Sequence, residues 1–149
     1  MNDPAPAPTP AAAPAAANVD PSLVSYTHVI YALHALSVLI GVTGAATVVG
    51  SFVFGLPSII AVIMNYVRRA ETRGSWLESH FRWQIRTFWF ALLWMVVAGF
   101  VSAPLVLMLG LGILTFVMAA GLVGLWVIYR VARGWLALRD GRTMPMPGA

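Results

Sequence analysis

Three histidines and nine arginines are the side chains with most chemistry to offer in this 149-residue chain. Two imidazoles on different helices at one depth can hold a haem iron between them. His28 and His80 are the pair whose places in the chain suit that role, with haem b as the cofactor. His34 lies about 120° from His28 on a helical wheel, so one small ligand does not engage both. A zinc site needs a third or fourth ligand, and the acids near His80 belong to a loop. The chain has no cysteine, which removes disulfides, thiolate metal sites and cysteine nucleophiles. No spacing supports a Ser-His-Asp arrangement and no phosphate loop occurs, so no catalytic site is expected. Apart from the haem alternative, no cofactor or metal is expected.

Half of the charged residues are gathered in Asn65–Trp89, which holds Arg68, Arg69, Glu71, Arg73, Glu78, Arg82 and Arg86. On a wheel of about 100° per residue, Ser75, Glu78, Ser79, Arg82 and Arg86 share an arc opposite Leu77, Phe81, Ile85 and Phe88. His80, Gln84 and Thr87 form a second polar stripe, divided from the first by Trp76 and Trp83. One reading is an interfacial ramp, with tryptophans at the headgroups and arginines snorkelling to phosphate. The other is a partner-binding mouth built from Arg68, Arg69, Arg73, His80, Arg82, Gln84 and Arg86. Arg86 motivates it, because it stands roughly 16 Å past the helix start, deep for an anchor.

The flanking segments decide the class. Leu23–Met64 and Thr87–Ile128 contain no charged residue. The chain is 60% hydrophobic and 9% charged, so the expectation is an all-α integral membrane bundle of four transmembrane helices. Residues 1–21 read as a disordered Ala/Pro-rich tail without the basic n-region of a signal peptide. Helices are expected near 23–42, 46–69, 76–103 and 105–138, the last starting near Gly110 if the turn is loose. The turns come from Gly41–Gly44 and from Pro104, and Pro57 should kink the second helix. Ser75 and Glu78 fit a capping box, and Asn65 fits a helix cap. Residues 140–149 should fray. Close helix contacts are expected at Ala46/Gly50, Gly99/Ala103 and Ala120/Gly124.

All nine cations are arginine, and none lies near the turns at Gly44 and Pro104. The positive-inside rule then puts both termini in the cytoplasm of a bacterium, in a multi-pass inner-membrane protein. No basic patch belongs to a soluble domain, so nucleic acid is not expected as a partner. Membrane lipids, a protein partner or a second copy are. The spans hold no acid, which disfavours proton-coupled transport. Thr27, Tyr31 and His34 share a face but are too few to line a path in a monomer, so a small-molecule carrier would have to be oligomeric.

The charged hairpin after the second span and the strings NYVRR and SHFRWQIRTFW give a resemblance over about Tyr26–Leu138. The chain resembles bacterial uncharacterised small membrane proteins distantly related to the plastid inner-envelope component of the protein-import translocon. That resemblance implies a helical membrane bundle and a role near polypeptide transport. The expected function is therefore a non-enzymatic scaffold or accessory subunit of a larger membrane complex, with a haem-carrying electron-transfer subunit as the alternative.

Overall fold

The computed structural model describes residues 19–44, 48–106 and 110–145. The expected disordered tail, as far as residue 18, and the Ala46/Gly50 contact lie outside them. The order is α1 (Pro21–Gly44), α2 (Val48–Val67), a short 3-10 helix (Arg69–Thr72), α3 (Leu77–Val106) and α4 (Leu111–Arg139). The chain is all-helical, and α1, α3 and α4 are long and apolar enough to cross a membrane.

Helix α1 starts earlier than its apolar run because Asp20 caps it. The Asp20 carboxylate accepts from the Ser22 N–H at 2.8 Å, and its carbonyl accepts from Leu23 at 2.9 Å. Pro21 follows at the first helical position, where its missing N–H costs nothing. Helix α3 corrects the expected stop at Ala103, since it runs through Pro104 to Val106. The proline stands in the last turn, so it removes one hydrogen bond without breaking a helix interior.

The expected capping box is also corrected. The Ser75 hydroxyl turns back to the Thr72 carbonyl at 2.7 Å, and Glu78 accepts from the Gly74 N–H at 3.0 Å. Glu78 also receives Arg82 at 2.8 Å, an i,i+4 pair on the arc that the two share. Asn65 is no cap. It is buried in the last turn of α2, and its Nδ2 donates to the Ala61 carbonyl at 3.3 Å.

The helices pack as two hairpins, α1 on α2 and α3 on α4, with α1 against α4 as the main seam between them. Leu23, Ile30, Tyr31, Ala61, Leu77, Phe81, Val131 and Leu138 make the apolar core, near the ends where the chain connects α2 to α3. The hairpins differ in reach. Tyr31 of α1 is bonded to His80 of α3, which sets these residues level. Beyond that level α1 runs about 13 residues to Gly44 and α3 about 26 to Val106, so α3 projects roughly 20 Å further. Past Thr87, only Ala98 and Ser102 of α3 are buried among the described residues.

Two expected close contacts do not form among the described residues. A Cβ added at Gly99 or Gly124 would meet nothing within 4 Å. The close approach is at Gly134 of α4, where a Cβ would stand 2.7 Å from Tyr31 Cε1 and 2.8 Å from Cζ. Residues 140–145 are packed instead of frayed. Gly141 adopts φ +64°, Arg142 N–H bonds the Ala137 carbonyl at 2.9 Å and Gly141 N–H bonds Leu138 at 3.1 Å. This Schellman turn folds the chain back over the start of α3. There Met144 is buried and its N–H donates to the Ser79 hydroxyl at 2.9 Å.

Candidate functional site

His80 is wholly buried and both of its ring nitrogens are engaged. Nε2 meets the Arg142 carbonyl at 2.8 Å and Nδ1 meets the Tyr31 hydroxyl at 3.0 Å. A carbonyl only accepts, so Nε2 carries the hydrogen. In the neutral ring Nδ1 is then the acceptor and Tyr31 donates to it. Tyr31 and Trp76 both stand edge-on to the imidazole, at 6.0 and 5.5 Å between ring centroids. One side chain thus ties α1, α3 and the C-terminal fold-back together, through the gap that Gly134 leaves.

His28 belongs to a different contact. Its Nδ1 accepts from Trp135 Nε1 of α4 at 2.9 Å. Iron between His28 and His80 would have to displace Tyr31 or the Arg142 carbonyl from His80. The described residues contain no cluster of three or more His, Cys, Asp or Glu able to hold a metal ion. His34 is buried on α1, with Nδ1 at 3.2 Å from the Ser58 hydroxyl of α2.

The seven residues expected at the partner-binding mouth divide into two groups. His80 and Gln84 are 0% and 1% exposed and face the interior. Gln84 shares that face with Leu77, Phe81 and Thr87, and neither of its amide atoms has a hydrogen-bond partner among the described residues. Arg69, Arg73, Arg82 and Arg86 are exposed, and Arg68 is half-buried. Arg68 bonds Glu71 through Nε at 2.8 Å and lies 4.8 Å over the Tyr26 ring. That pairing holds the Glu71 carboxyl below its ordinary range, chiefly through the side-chain hydrogen bond. Arg69 and Arg73 have no carboxylate partner among the described residues.

A second cluster was not anticipated from the sequence. Arg130 of α4 stacks 3.5 Å over the Trp83 ring of α3. Its Nε donates to the Thr87 hydroxyl at 2.7 Å, and that hydroxyl donates to the Trp83 carbonyl at 2.7 Å. Trp83 Nε1 closes the circuit on the Arg130 carbonyl at 3.0 Å. The available signal was Trp83 just before, and Arg130 just after, the charge-free stretch Thr87–Ile128. Helical periodicity places each on its own helix but does not pair the helices.

Comparison with protein-family models, with curated proteins and with solved structures finds no match. Function must therefore be argued from the residues themselves.

Proposed function

We propose that this chain is a non-enzymatic, multi-pass protein of the bacterial inner membrane that acts as a scaffold or accessory subunit of a larger complex. It crosses the membrane four times, with both termini and the Arg68–Arg73 connection in the cytoplasm. The resemblance of NYVRR and SHFRWQIRTFW to the translocon-related family suggests polypeptide transport as the setting.

One observation carries this reading: much of the polar chemistry between the helices, Gln84 apart, is spent across helix seams. His80, His28, Tyr31, Thr87 and Arg130 hold one another or the backbone across helix seams. Such bonds fix a helix arrangement and leave little for a substrate. The exposed chemistry is the arginine-rich connection, with Arg69 and Arg73 uncommitted. Arginine is the cation that partner surfaces favour, because its planar fork makes paired hydrogen bonds.

The test places a photo-cross-linking amino acid at Ala70 and compares the parent with Arg69→Lys and Arg73→Lys at matched membrane levels. Recognition by guanidinium predicts several-fold weaker capture of the partner in both variants. Anchoring alone predicts no change, since lysine satisfies the positive-inside rule equally well. Unchanged capture in both would reduce the connection to an anchor.

A further inference from the structure

The arginines around Trp83 are unbalanced charges in the described chain. Its carboxylates are engaged elsewhere: Glu71 with Arg68, Glu78 with Arg82, Asp140 with Arg139 and Arg142, and Asp20 with the Ser22 N–H. Arg86, Arg130 and Arg133 have no carboxylate partner among the described residues, and Arg130 and Arg133 gather at one indole. Arg130 lies 3.5 Å and Arg133 5.8 Å from the Trp83 ring. Arg86 lines a cavity together with the same Trp83 side chain. Cations held together in this way gain from an anion between them.

Their position along the helices indicates which anion. From Thr87 to Leu105 on α3, and from Leu111 to Tyr129 on α4, there is no charged residue. Each leg is about 19 residues, or roughly 29 Å of helix, against a hydrocarbon core of about 30 Å. Arg86 and Arg130 are the first cations beyond those legs, so both stand at the phosphate level of one leaflet. Arg86 is therefore deep relative to the start of α3 but not relative to a bilayer. Next to it a cavity of about 460 Å³ is lined by Arg69, Ser79, Arg82, Trp83, Arg86 and Pro145. On the apolar side, Arg86 lies 5.9 Å over the Phe90 ring, and Phe90 and Leu93 are exposed.

We propose that Trp83, Arg86 and Arg130, with Arg133 at the edge, bind the phosphodiester of an anionic phospholipid whose chains lie along α3. Guanidinium groups make charge-assisted, paired hydrogen bonds to phosphate oxygens. The indole sits where tryptophans collect in a bilayer. Free phosphate presents the same oxygens but has nothing to cover Phe90 and Leu93, so a lipid fits the whole surface. This goes beyond partner recognition by the Arg68–Arg73 connection, and either can fail while the other stands.

The full chain, purified in mild detergent, is titrated with phosphatidylglycerol and with phosphatidylethanolamine and read by native mass spectrometry. The expected result is tighter binding of phosphatidylglycerol, by about fivefold for each cation engaged, with inorganic phosphate unable to displace it. Arg86→Gln should lower that preference about fivefold. Arg139→Gln, with the same loss of charge outside the site, should keep it. Arg130 packs on Trp83, so Arg86, which is exposed, is the safer probe. Equal binding of the two lipids, or a preference that Arg86→Gln leaves unchanged, would overturn the site. Equal loss in Arg139→Gln would show diffuse attraction instead, and displacement by inorganic phosphate would make it a soluble-anion site.

Discussion

Gly134 is set by the Tyr31 ring, which occupies the space a side chain would need. An alanine Cβ there would approach ring atoms at 2.7 and 2.8 Å. The ring has little freedom to retreat, because Tyr31 is 1% exposed and its hydroxyl is held by His80. Gly134→Ala should therefore cost about 1–3 kcal/mol, read as a lower melting temperature in detergent. Tyr31→Phe removes the hydroxyl and strands His80 Nδ1, also at about 1–3 kcal/mol. Because the two changes act on one contact, the double variant should lose less than their sum; strictly additive losses would sink the steric account. The same bonds bear on haem. With both His80 nitrogens engaged, the purified chain should show no Soret band, and a band abolished by His28→Ala would reverse that conclusion. Tyr31 was legible in the sequence as part of a polar face with Thr27 and His34, yet its partners were not. Periodicity gives a face, not the helix opposite. A search for small residues four apart passes over Gly134, whose neighbours at that spacing are Arg130 and Leu138.

Helix ends carry much of what separates the expected elements from the observed ones. The apolar runs give the helices to within a few residues, but local hydrogen bonds set where each begins and stops. Gly141 is the clearest case: read as composition, it marks a frayed tail. As the left-handed residue after α4 it turns Arg142–Met144 onto α3, where His80 and Ser79 receive them. Asp20 is similar, an acid before Pro21 whose capping role does not register in a search for apolar periodicity. Its carboxyl is held below the ordinary range, first by the hydrogen bond from the Ser22 backbone. A depressed folded-state value means that the stabilisation is present above the unfolded value and is lost as pH falls through the folded one. The stability gap between the parent and Asp20→Ala should thus be full near neutral pH and should close as pH falls through the folded-state value. A gap of constant size across that range would show that the carboxylate is not the cap. The arginine positions on α3 were legible as a stripe, because Glu78, Arg82 and Arg86 keep helical spacing. His80 and Gln84 were not assigned correctly to the interior, because polar residues at a membrane edge satisfy an exposed face and a buried one equally well by pattern.

At the scale of the whole molecule, the two hairpins make different demands on a bilayer. The α3–α4 hairpin has charge-free legs of about 29 Å, a direct match to the hydrocarbon core. Helices α1 and α2 have 24 and 20 residues, or about 36 and 30 Å, so each is long enough to cross. Yet the Tyr31–His80 bond sets their far ends roughly 20 Å short of the end of α3. If α1 and α2 both cross, the bilayer or the tilt of the hairpins must absorb the difference. The proposed topology has both cross. Every arginine lies on the side of the Arg68–Arg73 connection and the C-terminus, and the sequence between α1 and α2 has none. In that proposal the four crossings put both termini with the arginines, in the cytoplasm. Reporter fusions separate the possibilities. A periplasm-active reporter should work when inserted at Gly110 and also within Gly41–Ala45, and a cytoplasm-active one should work after Asp140. Periplasmic activity at Gly110 with none at Gly41–Ala45 would mean that the first hairpin only dips into the membrane from the cytoplasmic side. That outcome would leave a two-span protein carrying a re-entrant helical pair, and the four-span topology would be wrong.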